Sequence, residues 1–257
     1  MNSLTVSPMT LSITFLLVLI GIFISYKEKL GLEKDIIITV IRAIIQLTVV
    51  GYVLSYIFGL NKGWATLGMI AVIVFNAAWN AGQRGKGINR SFQYSLVAIA
   101  LATTVTLCVL VFSGSIQFTP SQMVPITGMI SGNAMNAIGL AYRNLNQLFT
   151  DRRQSVVEML ALGAKPKTAS SDILRLAIQG GMQPTIDSVK TVGLVSLPGM
   201  MSGLMFAGVD PAKAILYQIM VSFMLISTTG LASFTATYLA YREFFNDRYQ
   251  LLTKEAH

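Results

Sequence analysis

The residues best suited to touch a transported solute are asparagines and methionines inside apolar stretches. Met129, Asn133 and Asn136 are spaced i, i+4 and i+7, which places them on one face of a helix. Met200 and Met201 stand in a later apolar stretch. Amide oxygens and thioethers are uncharged ligands, and thioethers suit soft ions such as copper(I). The pattern predicts either a substrate path or adaptable packing between helices.

Other polar side chains interrupt the apolar stretches in pairs at helical spacing. They are Arg42 with Gln46, Asn76 with Asn80, and Asp187 with Lys190. An arginine inside a membrane span is costly unless it is paired or wetted, so Arg42 either contacts an anionic group or extends to the surface and ties helices together. The asparagine pair is expected to bond neighbouring helices. The Asp-Lys pair either neutralises itself at the membrane surface or joins a polar segment to the transport helices.

Two glycine pairs have the spacing that lets helix backbones approach closely. Gly128 with Gly132 and Gly199 with Gly203 each form a GxxxG motif. Both motifs stand in segments that contain proline. We expect these two segments to pack together through the glycines, within one chain or between copies.

Several chemistries are excluded by missing residues. Cys108 is the only cysteine and the terminal His257 the only histidine, so disulfide frameworks, histidine-metal sites and Ser-His-Asp triads are impossible. The sequence contains no nucleotide-binding P-loop. We therefore expect no enzyme, no cofactor and no resident metal in this chain.

The elements that must position these residues are membrane spans. The 257-residue chain is 53% hydrophobic and 12% charged, whereas soluble domains carry about 25% charged residues. At about 20 residues per span, the apolar runs predict an all-α polytopic membrane protein, one transmembrane domain over residues 1–257. The seven predicted spans lie near 9–26, 36–58, 64–81, 94–112, 120–142, 188–207 and 212–241.

The fifth and sixth spans are expected to be irregular. The fifth is rich in Gly, Pro, Ser and Asn, so hydropathy alone could miss it, and Pro125 favours a kinked or broken helix. The sixth is interrupted by Leu197-Pro198-Gly199. A pair of interrupted segments points to a transport site in secondary transporters.

Between these spans lies the one long polar interval, residues 143–183, which we call the coupling segment. Its apolar residues fall at helical spacing and predict a short amphipathic helix that ends at Gly163 or just past it. A chain with so little charge would keep such a segment for docking a partner. The candidate docking residues are Arg153, Glu158, Gly163 and Ala164.

The distribution of positive charge orients the chain. With the N-terminus outside, the outer loops hold only Lys62 and Lys213, and most of the 19 Lys and Arg residues fall in the inner loops and the C-terminal tail. The coupling segment and the C-terminus are then cytoplasmic. The net charge of +8 follows from this topology and does not indicate a nucleic-acid partner.

Several long motifs resemble the FetB-type ABC permease family. They are RAIIQLTVVGYVL, FNAAWNA, GMISGNAMNA and KTVGLVSLPGMM, and the resemblance covers nearly the whole chain. It implies a bacterial inner-membrane permease associated with iron export, paired with a second copy. It also implies a separate ATP-binding subunit, which would hold ATP and magnesium. Plant relatives are linked to aluminium tolerance and sugar-nucleotide transport, so the resemblance leaves another metal, a chelate or a sugar nucleotide open as cargo.

A different class of function is also open from the residues alone. A stand-alone secondary transporter, driven by an ion gradient, would want an acidic residue deep in a span. The predicted spans place none there, which favours the ATP-driven permease.

Overall fold

The computed structural model describes residue 9, residues 13–60 and residues 63–252, whose regular structure is helical throughout. The expected all-α fold is confirmed. Within this part of the chain the α-helices are α1 Leu16–Lys27, α2 Glu33–Leu60, α3 Gly63–Arg84, α4 Ser91–Phe112, α5 Pro120–Asp151, α6 Arg153–Ala161, α7 Pro166–Ala169, α8 Ser171–Thr191, α9 Gly199–Phe206 and α10 Pro211–Ala240, followed by a 3-10 helix, Tyr241–Phe244. Lys62 and His257, used in the sequence analysis, lie outside the described residues.

Four of these helices are long and apolar enough to cross a membrane. They are α2, α3, α4 and α10. As expected, hydropathy does not single out α5, although this helix is 32 residues long.

The chain divides into two compact units, Met1–Leu60 and Asn61–His257. In the first unit, α1 and α2 are joined by a short turn that a serine stabilises. Ser25 Oγ donates a 2.8 Å hydrogen bond to Glu33 Oε1, and the Leu32 amide donates to Ser25 Oγ at 3.1 Å. These bonds fix the turn to the first residue of α2.

The second unit is built around α5. This helix packs against α3, α4, α8 and α10, and its side chains Ile130, Ile138 and Leu145 are completely buried. Ala134 and Ala141 are buried as well, and such small side chains let neighbouring helices approach closely. The segment with the lowest hydropathy of the predicted spans therefore supplies the centre of the core.

α5 is also more regular and longer than expected. It is continuous through Pro125, Gly128 and Gly132, so of the expected kink or break the break is wrong, and the kink stays a prediction. Pro125 stands near the start of the helix, where it removes one bond to Ser121, and the packing of the following turns offsets that loss. The helix also passes the predicted end at residue 142 and reaches Asp151.

The sixth predicted span is divided differently from the prediction. Residues 188–191 belong to α8, which begins at Ser171, and α9 begins only at Gly199. The predicted interruption is present, but it covers residues 192–198. Gly193, its second residue, has a φ of 84°, and Pro198 ends it in an extended conformation before α9. Proline disfavours helical backbone at the residue before it, which keeps Leu197 outside the helix.

Candidate functional site

One face of α5 is partly exposed, and apart from the half-buried Met129 its residues are small or polar. Pro125, Gly128 and Asn136 are exposed on it, and Gly132 and Asn133 are half-buried. We call these five residues the polar stripe. On α4, by contrast, the exposed side chains include Val97 (53% exposed), Val109 (62%) and Phe112 (88%), which suit contact with lipid. The polar stripe does not suit lipid, because its amides find no partners there.

The two asparagines of the predicted substrate path make different kinds of hydrogen bond. Asn136 Oδ1 accepts a 2.8 Å bond from Arg84 Nη1, which links α5 to the end of α3. Asn133 Nδ2 donates to the carbonyl of Met129 at 2.8 Å, within its own helix. Asn136 therefore ties two helices together. The side chain of Asn133 bonds only within its own helix, so it can exchange that bond for one to a solute without separating helices.

The asparagine pair of α3 makes local bonds as well. Asn80 Nδ2 donates to the carbonyl and to Oδ1 of Asn76, at 2.8 and 2.9 Å. Asn76, Asn80 and Arg84 are spaced by four residues, and Arg84 reaches Asn136. The face of α3 that carries these residues is thus connected to the polar stripe. The expected bonds from Asn76 and Asn80 to neighbouring helices are not found among the described residues.

Two of the predicted methionines meet in one apolar cluster. Met129 and Met200 both pack, half-buried, against a cluster that includes Ile130, Val221 and Met224. Met201 is buried, at 8% exposure. Met129 of α5 and Met200 of α9 therefore pack against the same apolar cluster, and their role in a substrate path stays a prediction.

The GxxxG glycines do not contact another helix within the chain. A Cβ atom added at Gly128, Gly132, Gly199 or Gly203 would meet no heavy atom of the described structure within 4 Å. The expected packing of the fifth span against the sixth through these glycines is therefore absent within one chain. Contact between copies stays a prediction, and the space in front of Gly128 and Gly132 is open to it.

Asp187 and Lys190 lie near the C-terminal end of α8. Lys190 Nζ is 3.4 Å from Asp187 Oδ1, and Gln183 Nε2 donates to the same oxygen at 2.8 Å. The sequence analysis placed this pair at the start of a span. The structure places it more than four helical turns beyond Ser171, in a helix whose first half is buried through Ile173 and Leu174.

The predicted docking helix corresponds to α6. It ends at Ala161, and Gly163 follows in a left-handed conformation with φ 86°. The Gly163 amide donates to the carbonyl of Leu160 at 2.9 Å, and the Ala164 amide donates to that of Met159 at 3.0 Å. These two bonds form a Schellman motif, which glycine favours because it has no Cβ. The helix therefore ends two residues before Gly163, whereas the sequence placed its end at Gly163 or just past it.

One face of α6 is accessible to a partner, and the opposite face is packed against the rest of the protein. Val156 is buried, whereas Glu158 is exposed and Leu162, just past the helix, is 88% exposed. The C-terminal tail holds the segment in place. Arg153 Nη1 donates to the carbonyl of Leu252 at 3.2 Å, and the rings of Phe149 and Phe244 stack at 4.1 Å. Val157 and Met159, 40% and 36% exposed, precede Leu162 closely in the chain, and several exposed apolar side chains close together suit a partner surface.

In the first unit, Arg42 and Gln46 lie one turn apart on α2, and both are exposed. Their expected roles stay predictions.

Some residues at these sites were not singled out from the sequence. Arg84 was counted only as an inner-loop charge, and its bond to Asn136 depends on the packing of α3 on α5. The pair Gly180-Gly181 was also missed. A Cβ at Gly181 would lie 2.7 Å from the carbonyl oxygen of Ala137 and 2.8 Å from Ser233 Oγ. Two adjacent glycines inside an amphipathic pattern were the available signal, because glycine is otherwise unfavourable within a helix.

Comparisons with known proteins agree over nearly the whole chain. A family model described as "Uncharacterised protein family (UPF0014)" matches residues 8–245. The chain is 54% identical over 255 residues to the "Probable iron export permease protein FetB" of Escherichia coli, covering 99% of this chain and 98% of that protein. It is 38% identical over 237 residues to the "Protein ALUMINUM SENSITIVE 3" of Arabidopsis thaliana, with coverages of 92% and 86%.

A bacterial relative of a different name shows similar coverage. The chain is 37% identical over 247 residues to the "UPF0014 membrane protein YjkA" of Bacillus subtilis, covering 96% of this chain and 99% of that protein. No solved structure matches the chain.

Proposed function

The chain belongs to the UPF0014 family and is a multi-pass membrane protein, and on that premise we propose that it is the permease subunit of an ATP-driven exporter of iron. The resemblance to a relative named as a probable iron export permease supports iron as the cargo. The observation that carries a transport function is the polar stripe on α5. A stripe of glycine, proline and asparagine at membrane depth needs cover from another protein surface or from water.

We place seven spans in the membrane, with the N-terminus outside. α5 is the fifth span, and the second half of α8, the interruption and α9 form the sixth. This topology leaves α6, α7 and the C-terminal tail in the cytoplasm, together with Arg84 and Arg143, in agreement with the positive-inside rule. The resemblance to bacterial relatives supports the inner membrane of a bacterium as the location.

Two copies would pair with their polar stripes facing one path. Open space in front of Gly128 and Gly132 supports this arrangement, because small residues allow close approach of helices. α6 would bind a separate ATP-binding subunit through Glu158 and Leu162. Binding and hydrolysis of ATP there would favour one of two arrangements of the permease, through contacts that differ between them.

The test of the path is iron transport by reconstituted vesicles that contain the permease and its ATP-binding subunit. We expect Asn133→Ala to reduce transport while its melting temperature stays that of the wild type. Asn136→Ala should lower both, because its bond to Arg84 also holds helices together. Gln147→Ala, on the same face of α5 but beyond the predicted span, is the matched control. Normal transport by Asn133→Ala would remove the polar stripe from the path.

A second candidate function has one observation in its favour. A secondary transporter would want an acidic residue deep in a span, and in the topology above Asp187 would lie there. Vesicles with the permease alone distinguish the two functions. Transport driven by an imposed proton gradient, without any ATP-binding subunit, would replace the ATP-driven exporter by the secondary transporter.

A further inference from the structure

Three polar side chains form a network on the exposed face of α8, just before the helix is interrupted. Asp187 Oδ1 accepts from Gln183 Nε2 at 2.8 Å and from Lys190 Nζ at 3.4 Å. The aspartate and lysine side chains are 56% and 66% exposed. The three side chains are accessible to solvent. The 3.4 Å between the ammonium and the carboxylate is longer than the about 2.7–2.9 Å of a strong charge-assisted hydrogen bond.

The packing of α8 on α5 brings this network level with the polar stripe. Gly181 lies against Ala137 and Ala141, and α8 runs back along α5 after the turn through α6 and α7. Gly181 is thus level with residue 139 of α5. Because the two helices are antiparallel, a step of six residues forward from Gly181 matches a step of six residues back on α5, and both cover about 9 Å along the axis. Pro184, between the two positions, removes one helical bond without ending α8, so Asp187 lies about level with Asn133.

The network also faces the same side as the polar stripe. Asp187 is two helical turns from Gly180 and so lies on the same face of α8. Gly180 contacts the side chain of Asn144, which stands on the α5 face three turns from Asn133. By helix periodicity, the carboxylate and the stripe therefore lie on the same side of the packed pair α5 and α8.

In the proposed topology, Asp187 and Asn133 lie deep in the membrane. Arg143 marks the inner end of the fifth span, and Asn133 is ten residues, or about 15 Å, further in. That distance is half of the about 30 Å thickness of the hydrocarbon core. An ionisable side chain at such depth is costly, and its retention points to function.

We propose that Asp187 is the charged ligand of a cation-binding station in the transport path, an inference that rests on the proposed function. Its cargo would be a divalent metal ion that accepts oxygen ligands, with the carboxylate of Asp187 and the amide oxygens of Gln183 and Asn133 as donors. The C-terminal end of α8 carries partial negative charge and favours a cation there. When no metal ion is bound, Lys190 forms an ion pair with the carboxylate of Asp187. The metal ion displaces the lysine from this pair.

A station of this kind binds weakly. Among the described residues no group of three or more His, Cys, Asp or Glu side chains could hold a metal ion. One carboxylate with neutral amides suits a transit site, because an ion that is conducted has to leave as well as enter. The polar stripe lacks a charged ligand, and Asp187 supplies it from the neighbouring helix.

The test measures binding of Mn²⁺ to the purified permease in detergent by electron paramagnetic resonance, without ATP or an ATP-binding subunit. We expect Asp187→Asn to weaken binding by more than the about 10-fold that loss of an outer-shell partner costs. Lys190→Met should strengthen binding several-fold, because it removes the competing ammonium. The control is Asp172→Asn, which disrupts a pair of the same spacing at the other end of α8, where Asp172 and Arg175 are 3.5 Å apart.

Wild-type affinity in Asp187→Asn would overturn the station. If that variant does not fold, Lys190→Met decides alone, since unchanged or weaker binding there contradicts the displacement of Lys190. The proposed function can fail separately. Normal Mn²⁺ binding without ATP-driven transport would reject the exporter and retain the station, whereas ATP-driven transport by a folded Asp187→Asn variant would reject the station and retain the exporter.

Discussion

Arg84 Nη1 donates a 2.8 Å hydrogen bond to Oδ1 of Asn136. The bond joins the last residue of α3 to the polar stripe of α5. The aliphatic part of the arginine packs on Gly139, where an added Cβ would lie 2.6 Å from Arg84 Cδ. The arginine is therefore held by packing as well as by its hydrogen bond, beside the predicted substrate path.

This bond predicts energetic coupling between the two side chains. Arg84→Gln and Asn136→Ala should each lower the free energy of unfolding, and the double variant should lose less than the sum. We expect a coupling of about 1 kcal/mol, the usual size for one hydrogen bond. The measurement is chemical unfolding in detergent, with Arg90→Gln as a control from the same loop. Additive losses would show that the bond does not contribute.

Glycine substitutions should separate close packing from open space. Gly181→Ala places a methyl group within 3.2 Å of three atoms from α5 and α10, so we expect a loss of about 1–3 kcal/mol in stability. Gly203→Ala meets nothing within 4 Å and should be neutral or stabilising by about 0.5–1 kcal/mol. Melting temperatures of both variants test the assignment, and equal losses would contradict it.

The proposed pairing of copies can be tested at Gly132. A cysteine introduced there, in a background where the exposed Cys108 is replaced by serine, should form a disulfide between copies. Gly132→Leu should reduce both pairing and transport, because its side chain separates the backbones. Val109→Cys, on the apolar exposed face of α4, is the control and should not cross-link. Cross-linking at Val109 but not at Gly132 would place the interface elsewhere.

If α6 docks the ATP-binding subunit, substitutions at Leu162 and Gly163 should affect binding and stability differently. Leu162→Ser changes an exposed side chain, so it should weaken binding of the ATP-binding subunit with little effect on stability. Gly163→Val introduces a Cβ into a left-handed conformation and should cost about 1–2 kcal/mol as well as binding. Co-purification and stimulation of ATPase activity measure the outcome, with Asn89→Ala as an inner-loop control. Full association of Leu162→Ser would argue against docking at this surface.

The sequence alone determined the class of protein and several local features. A composition poor in charge allows only a membrane protein, because the long apolar runs have no other place to be buried. The end of α6 followed from Gly163, and the interruption before α9 followed from Pro198. Both depend on backbone geometry that one residue imposes on its neighbours, so they can be read from adjacent positions.

The tertiary structure decided which faces are covered. The GxxxG spacing of Gly199 and Gly203 is open within the chain, whereas Gly181, in no such motif, is closely packed. Local polarity suggested that the sixth span would begin near residue 188, but burial of Ile173 and Leu174 stabilises α8 from Ser171, and Asp187 lies well inside this helix. Hydropathy and spacing describe one segment at a time. The partner that covers a face belongs to a distant segment, and only the packing of α5 against α3, α8 and α10 supplies it.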